Sequence, residues 1–476
     1  MLSKRISRTS ADLDAPWRHT PRFQKYDPVA NTDGVISFAT AENALVTKEL
    51  EEFANSGNIH IPGAAFMYGY STAGGQRFPK ALATHLNEYF HPYKPLTGDD
   101  ILATGTATAL HEILAFSFGD PGDGILVSRP CYGRFELDFG NKAEMPVVWA
   151  DSNAENSFKP EVVTHLEERL LQSNAAGTKV KALLIVNPHN PLGRCYPRET
   201  LVALMAFCQK HRIHFISDEV YASTVFDSGE PDTHPFTSVL SIDPTGLIDQ
   251  DLVHVEYGMA KDFGSAGLRV GALITRNAAL QKGFQSIIRF HSPSGMSVTV
   301  ASAMLEDREW CRKFLETAQS RISEAFRLVT TELSNIGIKH LRSTNAGLFL
   351  WIDLSSYLPP ESSGLSKSER EFSLAQKLLD GGVFLHPGEE HALEAGWFRL
   401  VYTHDPRTVR EGVKRYVISP SYQYTASLTD KGFTLFLINS HGSLGAGVQS
   451  TLNYLLGESS YFSYDHREIS DFLITH

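Results

Sequence analysis

The chain has 476 residues, 42% hydrophobic and 20% charged, which is ordinary for a soluble globular protein with a large core and more than one domain. Its net charge of −11 offers no basic footprint for nucleic acid or an anionic membrane, and no apolar run reaches membrane-spanning length. The four cysteines (Cys131, Cys195, Cys208, Cys311) form no CxxC pair, so no disulfide framework or zinc site is expected, and a reducing, cytoplasmic location is.

The opening MLSKRISRTS is basic, but no apolar run follows it, so no secretory signal is expected; Asp12 and Asp14 count against a transit peptide without deciding the matter. From about residue 100 to 275, unbroken apolar runs alternate with helical patterns. ILATG is followed by helical TATALHEILAFSF, then the strand candidates GILVSRP and EMPVVWA. Helical KPEVVTHLEERLLQ leads to KALLIVN, and helical RETLVALMAFCQKH leads to IHFISDE, LVHVEYG and RVGALIT. That order predicts an α/β fold, a mostly parallel sheet covered by helices on both faces. Ligands of such sheets bind at the carboxyl ends of the strands. The polar and glycine-rich punctuation (TGTAT, RPCYG, NPHNPLG, SDEVY, YGMAK) falls at those ends.

From about residue 300 a long helical stretch, REWCRKFLETAQS to RLVTTELS, precedes short strands at GLFLWIDL, GVFLHPG and GWFRLVYT. A helix at SEREFSLAQKLLD lies between the first two strands, and polar ESSGLSKSE reads as a loop. The expected organisation is an N-terminal arm (1–45), a large domain (46–300), a smaller α+β domain (301–416) and an atypical tail (417–476). The tail is rich in Ser, Gly and Tyr without a sustained period, as a misread exon boundary would append.

The chemistry gathers at one lysine. Lys261 stands at the end of an apolar run among glycines, although a lysine normally seeks water. Either it is a surface residue in a turn, or it has lost its charge by bonding covalently to something. At other strand ends stand Asp218, Glu219 and Tyr221 (SDEVYA), Asn190 (NPHNPLG) and Tyr132 (RPCYG), while Arg269 follows Lys261 and TGTATALHE opens a helix with backbone N–H groups free for an anion. Such a set suits a phosphorylated pyridine aldehyde. The 19 histidines show no HExxH spacing, so no metal is expected, and the GSAGLRVG glycines precede a strand, which rules out a dinucleotide fingerprint.

These motifs, in the order NPxNPxG, SDEVY, K-x(7)-R and FR, resemble the fold-type I pyridoxal-phosphate (PLP) enzymes of the class I/II aminotransferase family, in a branch similar to the 1-aminocyclopropane-1-carboxylate (ACC) synthases and their fungal relatives. The similarity runs from NTDGVISFATAEN to FRLVYT, and the tail has no counterpart in it. The resemblance implies pyridoxal 5'-phosphate as cofactor, an amino-acid substrate and a homodimer. It implies that Lys261 bonds to the cofactor and later serves as the base at the substrate Cα. Asp218 would pair with the ring nitrogen, Asn190 and Tyr221 with the ring oxygen, Tyr132 would stack on the ring, and Glu219 would support the structure. Ala107, Thr108 and Arg269 would hold the phosphate. Arg399 matches the arginine that grips the substrate carboxylate. Glu42 matches a residue lining the substrate side, with a helix N-cap or a solvated charge before a helix as its plainer alternative. Either Tyr68 or Tyr70 matches the tyrosine that reaches the partner's phosphate.

Two departures stand out. Gly258 and Ala260 occupy positions where relatives carry serines, a loss of about 1 kcal/mol per hydrogen bond unless Thr106 or Thr108 compensates. The DYHG-type segment of ACC synthases is replaced by YGYSTAGG. The expected activity is therefore that of an aminotransferase, in a specialised-metabolite pathway by resemblance to fungal members. A lyase (ACC synthase or carbon–sulfur) is one alternative, and a catalytically weak PLP-binding protein is another.

Overall fold

The computed structural model describes residues 2–418, apart from 15, 16, 18, 19, 389 and 390, and beyond them the two strands of a hairpin. Seven strands form the central sheet: β1 (Ile101–Thr104), β2 (Gly124–Arg129), β3 (Val147–Asp151), β4 (Val180–Val186), β5 (His214–Asp218), β6 (Val253–Gly258) and β7 (Gly271–Thr275). Their spatial order is β1-β7-β6-β5-β4-β2-β3, and β7 runs antiparallel to both neighbours while the other pairs are parallel. All the predicted strands of this region are present. Their near-continuous burial follows from helices on both faces, among them α1 (Ala107–Phe118), α2 (Val162–Ala175) and α3 (Arg198–His211).

The predicted long helical stretch is one 28-residue helix, α4 (Arg308–Asn335), with Asp307 accepting from the Trp310 N–H at its start. Strands Phe349–Asp353 and Trp397–Val401 pair antiparallel, with Trp351 opposite Arg399. The stretch taken for a loop ends in a helix signal. Ser366 and Glu369 close a capping box on α5 (Lys367–Asp380), satisfying two backbone donors at once.

The N-terminal arm is tied in by Ile36–Ser37, which pairs in parallel with Val383–Phe384. Phe38 is fully buried next to Gly412, where an added Cβ would lie 2.3 Å from the ring. Residues up to Ile418 form one compact unit. The tail belongs to a second unit, in which Tyr422–Thr429 pairs antiparallel with Gly432–Asn439. The tail reading, which found no periodic structure, missed that pairing, and residues 440–476 lie outside the described ones.

Replacing Phe38 with alanine should destabilise the unit by about 3–5 kcal/mol. A urea-unfolding midpoint equal to wild type would show that the arm contributes no packing.

Candidate active site

Strand ends set the site. Asp218 closes β5 and is 7% exposed; its Oδ1 accepts from the Val220 N–H at 3.2 Å. Burial, then Glu256, raises its pKa to about 7, against the opposing charge of His111. Glu219, next in sequence, serves the fold: its carboxylate accepts from the hydroxyls of Ser217 (2.9 Å) and Ser238 (2.5 Å) and from the Val239 N–H (3.0 Å).

Lys261 lies just past β6, half-buried. Its Nζ donates to the Ala41 carbonyl at 2.6 Å and sits 5.8 Å from the Tyr221 ring centroid. Burial, then Arg399, lowers its pKa to about 8, with Glu42 and Asp218 opposing. About a tenth of the amine is then uncharged at pH 7, against roughly one in three thousand for an ordinary lysine. Tyr221 is buried edge-on to Phe349, and burial raises its pKa.

Arg399, which its strand position would make a surface residue, is 8% exposed. Nη1 donates to Asn190 Oδ1 at 2.9 Å, Nη2 donates to the Ala39 carbonyl at 2.8 Å, and buried Nε has no partner. A buried guanidinium edge without an acceptor suits a carboxylate. Ala39 and Ala41 thus serve through carbonyls, which no side-chain motif announces. Glu42 is exposed and does not cap the following turn; Asn43 does, accepting from the Leu45 N–H at 3.2 Å.

The expected anion-binding end is the start of α1, where Ala107 and Thr108 have N–H groups that precede the helical ladder. Gly271 makes room for it, since a Cβ there would lie 2.6 Å from the Thr106 carbonyl carbon and 2.8 Å from the Ala107 nitrogen. Thr106 accepts from the Ala109 N–H at 2.8 Å, so its hydroxyl oxygen is already engaged as a cap, and Thr108 is exposed. Arg269 is exposed in the left-handed region (φ 53°) and donates to the Ala266 carbonyl. At Gly258 a Cβ would meet the Val270 carbonyl oxygen at 3.0 Å, so the close β6–β7 pairing disfavours the missing serine. Tyr132 is half-buried, edge-on to Phe135 at 5.2 Å. Tyr68 projects fully into solvent, whereas the Tyr70 hydroxyl is 3.2 Å from that of Thr299. Gly74, in the YGYSTAGG segment, lies against β1; a Cβ there would be 2.6 Å from that of Ala103.

Sequence reading passed over three residues. His111 on α1 contacts Asp138 (2.8 Å) through Nδ1 and Glu256 (2.9 Å) through Nε2, and Glu256 is fully buried beside Asp218. The signal was a single glutamate inside the apolar run LVHVEYG.

A family model described as aminotransferase class I and II matches residues 42–415. The chain is 30% identical over 411 residues to "Probable aminotransferase sirI" of Leptosphaeria maculans, covering 85% of this chain and 94% of that one. It is 31% identical over 401 residues to 1-aminocyclopropane-1-carboxylate synthase of Glycine max, covering 82% and 81%. Similarity to the mouse "Probable inactive 1-aminocyclopropane-1-carboxylate synthase-like protein 2" is 31% over 386 residues, 79% of this chain and 64% of that protein's length. A Thermus thermophilus aspartate aminotransferase tetra mutant complexed with tryptophan shares the fold, with TM-score 0.66, 21% identity and coverage of 88% and 99%. Among the described residues no helix is long and apolar enough to cross a membrane.

Reductive methylation with labelled formaldehyde, with the signal assigned through Lys261→Arg, should give a lysine resonance titrating near pH 8 in the cofactor-free protein. Titration above pH 10 would mean that the site does not disfavour the ammonium.

Proposed function

Because this chain belongs to the aminotransferase class I and II family, we propose that it binds pyridoxal 5'-phosphate and an α-amino acid and transfers the amino group to a 2-oxo acid. The observation that carries this reading is the grouping of Lys261, its amine shifted toward the neutral form, with Asp218 and the carboxylate-ready Arg399. The donor set fits the cofactor: an amine to capture an aldehyde, an acid for a ring nitrogen, and a helix N-terminus with Arg269 for a phosphate. When bound, the cofactor supplies an aldehyde carbon for covalent capture of amines and a ring that accepts the electron pair released at Cα.

The protein's own part is binding and proton transfer. Arg399 Nε takes the substrate carboxylate, while Asn190 and the Ala39 carbonyl hold the guanidinium in place. Lys261 Nζ, when displaced by the substrate amine, is the base for the Cα proton, and its lowered pKa suits that task near neutral pH. Asp218 would supply the acidic group for the ring nitrogen, and Tyr221 and Asn190 would offer polar atoms to the ring oxygen. Asn190, which already accepts from Arg399, would link that side to the carboxylate side.

The reading extends to a homodimer. Phe66, Met67, Tyr68 and Phe290 are 70%, 70%, 103% and 76% exposed, a costly apolar group for an isolated chain. Tyr68 is free to reach a partner, while Tyr70 stays near Thr299 of its own chain. The soybean relative's name favours a second reading, a lyase working through the same first proton transfer. Replacement of the DYHG-type segment by YGYSTAGG against β1 weighs toward amino transfer.

A single turnover of PLP-loaded protein with amino acid and no keto acid decides between them. Stoichiometric loss of the visible absorption band, restored by a 2-oxo acid, is expected; a band that returns unaided while product accumulates would make the protein a lyase. Lys261→Ala should abolish both the band and turnover, and unchanged turnover would refute the mechanism. Arg399→Lys should lower kcat/KM by about 10- to 100-fold, because an ammonium cannot replace the fork. Wild-type kcat/KM in that variant would remove Arg399 from substrate binding.

A further inference from the structure

Asp218 and Glu256 are register partners on the parallel strands β5 and β6, so their side chains leave the sheet on the same face. His111 comes down on that face from α1, and one ligand atom each of His111, Asp218 and Glu256 lies within 4.8 Å of the others. His111 is 3% exposed and Glu256 0%. A neutral imidazole has one N–H and cannot donate to two carboxylates, whereas an imidazolium can. Burial opposes that charge, but Glu256 and Asp138 outweigh it and hold the His111 pKa well above its ordinary value. Glu256 Oε1 is buried with no partner. Two carboxylates this close in a low-dielectric interior call for a further cation.

Other groups near Asp218 do not meet that demand. Cys131 and Tyr221 are buried, and burial raises the pKa of both, so they remain neutral. Besides His111, Lys261 is the cation acting on Asp218, and its amine would be committed to the cofactor's aldehyde.

We infer that Glu256, hydrogen-bonded to His111 and paired in register with Asp218, is a positioning residue for the cofactor ring: a second buried acidic group behind Asp218 that raises the proton affinity of the ring nitrogen. This rests on the proposed binding of pyridoxal phosphate. Glu256 touches neither substrate nor cofactor and acts through Asp218. Asp138 fixes the far side of the imidazolium.

The test uses wild-type protein and Glu256→Gln loaded with pyridoxal phosphate carrying ¹⁵N in the ring, following the ring-nitrogen chemical shift with pH and the cofactor dissociation constant by equilibrium dialysis. In E256Q the ring should lose its proton about one pH unit lower, a roughly tenfold loss of proton affinity, and the cofactor should bind several-fold more weakly. Glu256→Asp, which restores the charge, should recover part of the shift, and Asp138→Asn, which leaves the His111–Glu256 pair, should move it less. A purely structural role would change urea stability and leave the ring titration in place. If E256Q does not fold, Glu256→Met, uncharged and of similar length, reads the same quantity. Cofactor bound in both proteins with identical ring titrations overturns this inference alone. Absence of a lysine-bound cofactor in wild type overturns it together with the functional reading.

Discussion

Charge kept out of water beneath the strand ends is the constraint on which the rest of this site depends. Lys261, Asp218, Glu219, Asp262, Glu256, His111 and Arg399 all sit in or against the sheet's carboxyl edge, and burying any one of them alone would cost several kcal/mol. The fold deals with them in two ways. Glu219 and Asp262 are bound locally, by serine hydroxyls and backbone N–H groups and by Tyr257 and Ser223, although burial still raises the pKa of both to about 7 and Asp262 Oδ1 has no partner. The others are left partly unsettled: an amine disposed to lose its proton, a carboxyl disposed to keep one, and a guanidinium edge with nothing to hold. Those residual demands make the site reactive and point to what it binds.

The sheet was legible because both of its faces are covered, which forces long unbroken apolar runs, and because strand ends must carry the polar residues. Asp218, Asn190, Tyr221 and Lys261 were readable for the same reason, whereas Arg399, inside a strand of another sheet, was readable only through the family resemblance. What the sequence concealed is of a different kind. The carbonyls of Ala39 and Ala41 hold Arg399 and Lys261 through atoms that every residue possesses, so no residue type could mark them. His111 lay within a quoted motif, but its partners are 27 and 145 residues away, a distance no local pattern spans. The capping box at Ser366 and Glu369 was present in the letters and was overlooked because polar residues before a helix look like a loop. In the tail, the hairpin rests on pairing between two strands, and neither has a strong period of its own.

Segments far apart in the chain meet at the site through few but specific bonds. Arg399 comes from a strand near the C-terminus, Asn190 from the end of β4, and Ala39 from the arm that also pairs with Val383–Phe384. The position of the Arg399 guanidinium is therefore set by three distant segments at once, so substitutions at Asn190 and Arg399 should not have additive effects.

Gly258 bears on where further donors could be added. The spacing between β6 and β7 leaves a Cβ at position 258 3.0 Å from the Val270 carbonyl oxygen, so a side chain there requires the neighbouring strand to give by a few tenths of an ångström. That strand is also held at Gly271, where a Cβ would lie 2.6 Å from the Thr106 carbonyl carbon at the start of α1. Single substitutions that add a donor at this end would therefore disturb the packing less on the exposed side of α1 than on β6.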